Sequence, residues 1–304
     1  MSDMPMDILP EVAAALQAGQ PVVALESTVI AHGMPRPQNL EIGRRLQLVV
    51  REQGVIPATV AVLGGRVKIG LSESELAQLA EGAGVLKVSR RDFPTAVARQ
   101  LDGATTVAGT IMAAHWAGIR VLATGGIGGV HRGDRFDVSA DLPELARTPV
   151  VVVCSGAKAI LHLSATLEWL ETHGVPVVGY GVDELPAFYS RSSGLALDLR
   201  ADSPLQVAAL LQAQRRLRLS GGVVVAVAPP EQAALPGDEM KAAIEQALAQ
   251  ARLEGIRGKE TTPFLLRQME ALTGGASLRA NVALLENNAK VAAQIAAASA
   301  AAGG

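Results

Sequence analysis

The sequence is poor in cysteine and in aromatic residues, and both shortages narrow what the chain can do. Cys154 is its one cysteine, so no disulfide can form within the chain, and its apolar surroundings favour a small core residue over a reactive thiol. Phe, Trp and Tyr together make up 3% of the residues, which is too few for an aromatic surface that stacks nucleic-acid bases. The cysteine usage fits a reducing, cytoplasmic setting.

The chain also lacks an excess of charge of one sign and any long hydrophobic run. It has 27 Lys and Arg against 29 Asp and Glu, which argues against binding to nucleic acid or a membrane surface through bulk electrostatics. No segment approaches the roughly 20 uncharged apolar residues of a membrane span. The first ten residues, MSDMPMDILP, have neither the basic nor the apolar region of a signal peptide.

Ala, Val, Leu and Gly dominate instead, in short apolar runs that alternate with helical patterns. We predict strands over residues 21–25, 58–63, 85–89, 120–123, 150–154, 176–180 and 223–227. Helices are predicted over residues 7–18, 37–53, 103–118, 164–173, 238–253 and 262–272, with others that begin near residues 72, 203 and 277. The alternation predicts an α/β fold, a three-layer α/β/α sandwich around a mostly parallel sheet, in a single domain over residues 1–304.

Local signals add detail to this outline. Gly64-Gly65 predicts a hairpin, and Ser72 with Glu75 predicts a capping box at the start of a helix. The Ala-rich tail after Val291 is interpreted as a helix that frays at its end. Residues 1–6 and 298–304 are expected to be flexible.

Lys158 is the first candidate for chemistry. It follows the apolar strand 150–154 and the pair Ser155-Gly156, at the edge of an α/β sheet where ligands usually bind. Loss of water around an amine favours its neutral form, which can attack a carbonyl-type carbon or form a Schiff base. The alternative is a lysine in the first turn of a helix with its ammonium group in water.

A glycine-rich loop follows the strand 120–123, with Gly125, Gly126, Gly128, Gly129 and Gly133 within nine residues. Such a loop lets the backbone approach an anion closely, although its spacing matches neither a dinucleotide nor a P-loop motif. A flexible surface turn is the alternative.

Three carboxylates come next, and they suggest a hard cation. Asp134, Asp137 and Asp141 offer oxygen ligands of the kind that Mg²⁺ or Mn²⁺ prefers. Asp141 could equally cap the short helix that follows it.

Other polar residues allow two interpretations each. Glu26 lies at the end of a predicted strand, where it is either a general acid or base or a residue exposed to solvent at the strand end. Lys87 is either an edge residue or a cation aimed at an anion. His131 is the only histidine near these groups; His115 is expected to be packed in its helix, and His162 and His173 to lie at the surface.

Ten sequence runs, in order and over nearly the entire chain, resemble the pseudouridine-5′-phosphate glycosidase family. They are ALESTVIAHGMPRPQN, ATVAVLGGRVKIGL, KVSRRD, GATTVAGT, ATGGIGGVHRG, DVSADLPEL, CSGAKAILHLSATLE, PVVGYGVDELPAFYSRSSG, GKETTPFLL and SLRANVALLENNA. The resemblance implies reversible cleavage of pseudouridine 5′-phosphate to uracil and ribose 5-phosphate in pseudouridine breakdown, with Mn²⁺ or another divalent cation. It also implies a homotrimer, with no nucleic-acid or membrane partner.

The resemblance further implies roles for single residues. Lys158 would be the nucleophile, Glu26 the proton donor and Asp137 the metal ligand. Substrate contacts would come from Lys87, Val107, Thr124, His131, Ser139, Ala140, Asp141 and Asn281, with Thr124 and His131 near the sugar phosphate and Asn281 near the uracil.

The chemistry fits these residue types. Pseudouridine joins sugar and base by a carbon–carbon bond, so its base is a poor leaving group, and an amine that opens the ribose and forms an imine offers an alternative route. Two other hypotheses remain open: a Schiff-base lyase or aldolase that acts on a different sugar phosphate, and a non-catalytic protein that binds sugar phosphates.

Overall fold

The computed structural model describes residues 4–132, 137–256 and 261–303. Within these ranges eleven strands form one mixed sheet. The strands are β1 (Met6–Ile8), β2 (Val22–Leu25), β3 (Ile56–Leu63), β4 (Arg66–Ile69), β5 (Leu86–Val88), β6 (Gly103–Thr105), β7 (Val121–Ala123), β8 (Val151–Cys154), β9 (Val177–Tyr180), β10 (Leu199–Ala201) and β11 (Val223–Val227).

The helices cover both faces of this sheet. They are α1 (Pro10–Gln17), α2 (Gln38–Glu52), α3 (Glu73–Glu81), α4 (Phe93–Ala98), α5 (Val107–Ala117), α6 (Asp141–Leu145), α7 (Leu163–Thr172), α8 (Pro204–Arg216), α9 (Gly237–Leu253), α10 (Thr261–Leu272) and α11 (Ala276–Ala301). Among the helices in the described part of the chain, none is both long enough and apolar enough to cross a membrane.

The main path of the sheet runs β1-β4-β3-β2-β7-β8-β11-β9-β10, and β6 pairs with both β3 and β5. The strands from β2 through β7, β8 and β11 to β10 are all parallel to their neighbours, whereas β3 is antiparallel to β4 and β6. Central parallel strands are buried on both faces, which is why β8 and β11 consist almost entirely of valine. The predicted α/β fold with a mostly parallel sheet between helices is confirmed.

The β3–β4 hairpin at Gly64-Gly65 and the capping box of Ser72 and Glu75 are present as predicted. Other boundaries were wrong. Asp7 and Ile8, predicted as helix, lie in β1, and residues 103–105, also predicted as helix, form β6. The prediction missed β10 and α4 altogether. The missed strands β1, β6 and β10 have three residues each, which is too short for an alternating pattern to be recognised.

The Ala-rich tail is part of the core, so its interpretation as a fraying helix was wrong. Helix α11 packs across β2, β7 and β8 and lies against α2 and α8. Beyond Val291, the side chains of Ala292, Ala293, Ile295 and Ala296 are at most 5% exposed. Small side chains allow the helix to approach the sheet and its neighbours closely, so low complexity here reflects tight packing. The flexibility expected for residues 1–6 and 298–304 stays a prediction.

Candidate active site

The candidate residues meet at the carboxyl ends of the central parallel strands. Glu26 follows β2, Thr124 follows β7, and Lys158 comes four residues after the last residue of β8. These three strands are neighbours in the sheet, so their carboxyl ends lie at one edge. The Lys158 N–H donates to the Ile127 carbonyl at 3.1 Å, which ties the lysine to the glycine-rich loop after β7.

Lys158 and Glu26 line one narrow chamber of about 50 Å³. We call it the inner chamber, and its wall consists of Glu26, Thr28, Val29, His32, Gly33, Lys87, Thr124, Gly125, Gly126, Lys158, Phe188, Pro263, Leu266, Asn281 and Leu285. Lys158 is half-buried, and α7 begins only at Leu163, so the alternative of a solvated lysine in the first turn of a helix is wrong. In the described part of the chain, no carboxylate forms a salt bridge with Lys158.

Glu26 is 6% exposed, so it is not a solvated strand end. Its Oε2 accepts hydrogen bonds from the Thr28 hydroxyl and, at 3.2 Å, from the Val29 N–H. Its Oε1 accepts one from the Thr124 hydroxyl at 3.3 Å. These partners come from the loop after β2 and the end of β7, and they hold the carboxyl group against the chamber that contains the Lys158 amine.

A second cavity, of about 320 Å³, adjoins the inner chamber and shares Thr28, Lys87 and Lys158 with it. We call it the polar cavity, and its wall consists of Thr28, Lys87, Ser89, Arg91, Asp92, Thr106, Val107, Gly128, His131, Asp137, Val138, Ser139, Ala140, Asp141, Lys158 and Leu161. The amino end of α5 reaches it at Val107, where Thr106 caps the helix by accepting from the Gly109 N–H. The cavity carries both signs of charge, with Asp92, Asp137 and Asp141 against Lys87, Arg91 and Lys158, and its lysines and the helix amino end are the groups that can bind an anion.

The pKa of His131 depends on its burial and on the charges around the polar cavity. Burial lowers the pKa of its imidazole, Asp137 opposes that effect, and the positive charges of Lys87 and Lys158 lower the pKa further.

The two interpretations of Lys87, as an edge residue and as a cation aimed at an anion, do not exclude each other. Lys87 belongs to β5, whose only strand partner among the described residues is β6, and it lines both cavities.

The glycine-rich loop is packed, so the alternative of a flexible surface turn is wrong for its described part. Gly125, Gly126, Gly128 and Gly129 are all buried, whereas Gly133 lies outside the described residues. A β-carbon on Gly128 would collide with Ser139, and one on Gly129 would collide with Thr166. The sequence needs glycine here because other chain segments lie directly against the backbone.

Asp141 does not cap α6, the short helix that begins with it. Ala140 is the N-cap residue of α6, and the Asp141 carboxylate, 5% exposed, accepts from two backbone N–H groups elsewhere. Its Oδ1 accepts from Ala108 at 2.8 Å and its Oδ2 from Gly128 at 2.7 Å. Asp141 therefore joins the amino end of α5 to the glycine-rich loop, and both of its oxygens are already engaged.

The cation prediction now depends on Asp137. Its side chain is 44% exposed and its Oδ2 lies 3.7 Å from Nδ1 of His131, while Asp134 lies outside the described residues. Among described residues no group of three or more His, Cys, Asp and Glu side chains is arranged so that it could hold a metal ion. One accessible carboxylate beside an imidazole suits a hydrated Mn²⁺ or Mg²⁺ that keeps most of its waters.

All residues that the resemblance singled out line these two cavities. Asn281, from α11, is 8% exposed and also lines an outer cleft of about 540 Å³ that continues from the inner chamber past His32, Gly33, Pro263 and Leu266. His162 and His173 lie at the ends of α7, as expected. His115 is exposed, and its predicted packing is wrong because it lies on the outer side of α5.

Reasoning from single residues missed the apolar side of the inner chamber. Phe188, Pro263, Leu266 and Leu285 form it, from three separate parts of the chain. Phe188 has a φ of 64°, a left-handed backbone conformation that a bulky side chain rarely adopts, and its ring is 2% exposed. Nothing in the local sequence announces these residues, because apolar side chains are common throughout the chain.

Comparison with known proteins shows which family the chain belongs to. The family model described as indigoidine synthase A like protein matches residues 11–298. Curated proteins named pseudouridine-5′-phosphate glycosidase are similar over nearly the full chain. That of Methylobacterium nodulans is 58% identical, over 96% of this chain and 87% of its own, and that of Solibacter usitatus is 55% identical, over 96% and 99%.

Two solved structures have the same fold. The prealnumycin C-glycosynthase in complex with ribulose 5-phosphate superposes with a TM-score of 0.91 at 38% identity, over 99% of this chain and 98% of its own. An indigoidine synthase A-like protein from Thermotoga maritima gives a TM-score of 0.89 at 38% identity, over 97% and 96%. The chain therefore belongs to the indigoidine synthase A-like family and, within it, to the pseudouridine-5′-phosphate glycosidases.

Proposed function

We propose that this protein reversibly cleaves the carbon–carbon glycosidic bond of pseudouridine 5′-phosphate, giving uracil and ribose 5-phosphate. One observation carries the proposal: the half-buried Lys158 amine and the buried Glu26 carboxyl line one chamber, and that chamber adjoins a polar cavity that Lys158 also lines. The curated relatives are named for this activity.

The polar cavity holds the ribose 5-phosphate half of the substrate. Lys87, the Ser139 hydroxyl and the amino end of α5 at Val107 face it, and together they suit a phosphate dianion. Thr124 and His131 contact the substrate nearer to the sugar. Contacts to the remote phosphate convert binding energy into orientation of the reacting carbon against Lys158.

The inner chamber and its outer cleft hold the base. Uracil is a flat ring with alternating carbonyl oxygens and N–H groups, and the Asn281 amide can both donate to and accept from such an edge. The apolar side chains of Phe188, Pro263, Leu266 and Leu285 exclude water from the faces of the ring.

The reaction begins when the neutral amine of Lys158 attacks C1′ of the ribose. The C1′–O4′ bond breaks, and Glu26 protonates the departing ring oxygen, so the sugar opens. After the attack the lysine nitrogen releases a proton and regains its lone pair, and C5 of uracil takes up a proton. The lone pair then forms a C=N bond to C1′ as the C1′–C5 bond breaks, and the electrons of that bond leave with the base. Water then hydrolyses the imine, releasing ribose 5-phosphate and the free amine.

A divalent cation, Mn²⁺ by the resemblance, belongs beside Asp137. The exposed Asp137 carboxylate with the neighbouring His131 imidazole would hold it, mostly through water, at the edge of the polar cavity. When bound, the ion counters negative charge on substrate oxygens and restricts their position. The homotrimer and the cytoplasmic location remain parts of this proposal that rest on the resemblance and the composition.

A second candidate function is the joining of a sugar phosphate to a different carbon acceptor. The prealnumycin C-glycosynthase, which shares the fold at 38% identity, favours it. The glycosidase relatives are more similar in sequence, so cleavage of pseudouridine 5′-phosphate is the function that we favour.

The direct test is to incubate the purified protein with pseudouridine 5′-phosphate and Mn²⁺ and to follow uracil and ribose 5-phosphate by chromatography. We expect both products in equal amounts, and none from a Lys158→Ala control. Absence of both products would refute the assignment, and a protein that only binds sugar phosphates would give this negative result.

A further inference from the structure

Glu144 in α6 is a fully buried carboxylate that takes no part in the reaction described above. Its side chain is 0% exposed, and neither Glu144 nor its partner Arg90 lines a cavity of the site. Arg90 donates to it twice, from Nε at 2.7 Å and from a terminal nitrogen at 2.6 Å. A buried charge held this completely needs a structural or functional reason, because burial of an ion is costly.

The bidentate Arg90–Glu144 pair joins two walls of the polar cavity. Arg90 lies directly after β5 and Ser89, so it belongs to the segment that carries Lys87. Glu144 lies three residues after Asp141 in α6, next to Ser139 and Ala140. The pair spans 54 residues of sequence, and its fork geometry fixes both the distance and the orientation of the two segments.

Helix α6 is attached to the rest of the cavity by its other carboxylate. Asp141 binds the N–H groups of Ala108 and Gly128, and the Ser89 hydroxyl lies 2.9 Å from that of Thr106, the N-cap of α5. Four segments of the cavity wall are thus connected: the segment of Lys87 and Ser89, the amino end of α5, the glycine-rich loop and α6. Of these connections, the Arg90–Glu144 pair is the one that bears charge on both sides.

The remaining contacts of Glu144 are local. Thr148 donates to Oε1 and Arg147 donates to Oε2, the latter at 3.0 Å, and both follow Glu144 by three or four residues. They stabilise the carboxylate but connect α6 to nothing else. This difference supplies a matched control, since Arg90 and Arg147 pair with the same carboxylate and only Arg90 reaches the segment of Lys87.

We propose that the Arg90–Glu144 pair is a positioning device for the ribose 5-phosphate half of the site. It holds Lys87 and Ser89 at the correct distance from Ser139 and from the amino end of α5, and neither residue of the pair touches the substrate. The proposal rests on the function proposed above, because it assigns the polar cavity to the sugar phosphate.

The test uses the synthetic direction, in which ribose 5-phosphate and uracil bind as separate molecules. The KM for each is measured with the other saturating, for the wild type, Arg90→Gln, Glu144→Gln and the control Arg147→Gln. We expect the KM for ribose 5-phosphate to rise about tenfold in the first two variants, because misplaced contacts lose orientation, while the KM for uracil stays within about twofold. Arg147→Gln should match the wild type in both, and Arg90→Lys should not restore the wild-type value because lysine lacks the fork.

Equal rises in both KM values would mean general damage to the fold and would overturn the proposal. So would an unchanged KM in Arg90→Gln or an equal effect of Arg147→Gln. The dissociation constant of ribose 5-phosphate, measured by calorimetry, gives a second reading that does not depend on turnover. A wild type that makes no pseudouridine 5′-phosphate would count against the proposed function, while the dissociation constants would still decide the role of the pair.

Discussion

The two sides of the Lys158 amine are built in opposite ways. On the side of the polar cavity the wall comes almost entirely from residues 87–141, and it presents ammonium, hydroxyl, carboxylate and backbone N–H groups. On the other side the wall comes from the loops after β2 and β7, from Phe188, from α10 and from α11, and it adds a group of apolar side chains that the polar cavity lacks: Val29, Phe188, Pro263, Leu266 and Leu285.

This difference separates two kinds of recognition. Charge and hydrogen bonds, arranged by a compact stretch of sequence, suit the phosphate and the hydroxyls of a sugar. A group of apolar side chains from distant segments, with the Asn281 amide beside it, suits a flat ring with a polar edge. Lys158 lines both cavities, so it lies where the two sides meet, which is where the bond between sugar and base must lie. Glu26 lines the inner chamber with it.

Loss of the shared amine should have the largest effect. We expect Lys158→Ala to lose at least about a thousandfold in turnover, because the amine that forms the imine is removed. The fold should persist, because Lys158 is half-buried at the site and is not part of the core. Initial rates and a thermal melt check both points, and a variant that retains its rate would remove the covalent mechanism.

Loss of the proton donor Glu26 should have the next largest effect on turnover. Glu26→Gln keeps the shape of the side chain and can keep its contacts to Thr28 and Thr124, but it cannot supply a proton. We expect turnover to fall by about a hundredfold or more, the usual contribution of a general acid. Near-normal rates would assign Glu26 to structure alone.

One pair of variants tests the comparison itself. Asn281→Ala should raise the KM for uracil about tenfold and leave that for ribose 5-phosphate unchanged, because an unpaired edge of the base loses about one hydrogen bond. Ser139→Ala should do the reverse. If either variant affected both substrates equally, the division of the site into a base side and a phosphate side would be wrong.

The smallest effect concerns stability and pH. Burial by itself would raise the pKa of Glu144, but hydrogen bonds from Arg90 and Thr148 and the charges of both arginines outweigh it and lower the pKa. A carboxyl group whose pKa is lower in the folded state stabilises the fold above its unfolded pKa, and this contribution is lost as the pH falls through the folded value. We expect the free energy of unfolding of Glu144→Gln at pH 7 to be about 1 kcal/mol lower than that of the wild type.

The difference in free energy of unfolding between Glu144→Gln and the wild type should decrease as the pH falls below the ordinary pKa of a glutamate, about 4.5. Urea unfolding at a series of pH values measures it. A difference that is constant with pH would mean that the ionised form of Glu144 contributes nothing to stability.

The sequence predicted the polar groups and the glycine-rich loop of the site better than its apolar side chains, for a physical reason. A lysine after a run of valines, a glycine-rich loop and a glutamate at a strand end are rare residue types in informative places, and the structure brings all three together. Asp141 was found, but its local pattern indicated a cap or a metal ligand, because its partners Ala108 and Gly128 are distant or unremarkable in sequence.

Phe188 and the long α11 could not be predicted in the same way. The left-handed backbone of Phe188 is imposed by tertiary contacts, and the alanines of α11 gain their meaning only from the sheet and helices against which they pack. Short strands such as β1 and β10 depend likewise on partners elsewhere in the chain.

The central claim is that Lys158 forms an imine with the sugar, and borohydride trapping tests it most directly. The protein is incubated with ribose 5-phosphate, reduced with sodium borohydride, digested and analysed by mass spectrometry. The account predicts one reduced sugar phosphate adduct on Lys158 and none in Lys158→Ala. Absence of any adduct in the active wild type, or an adduct confined to another lysine such as Lys87, would contradict it.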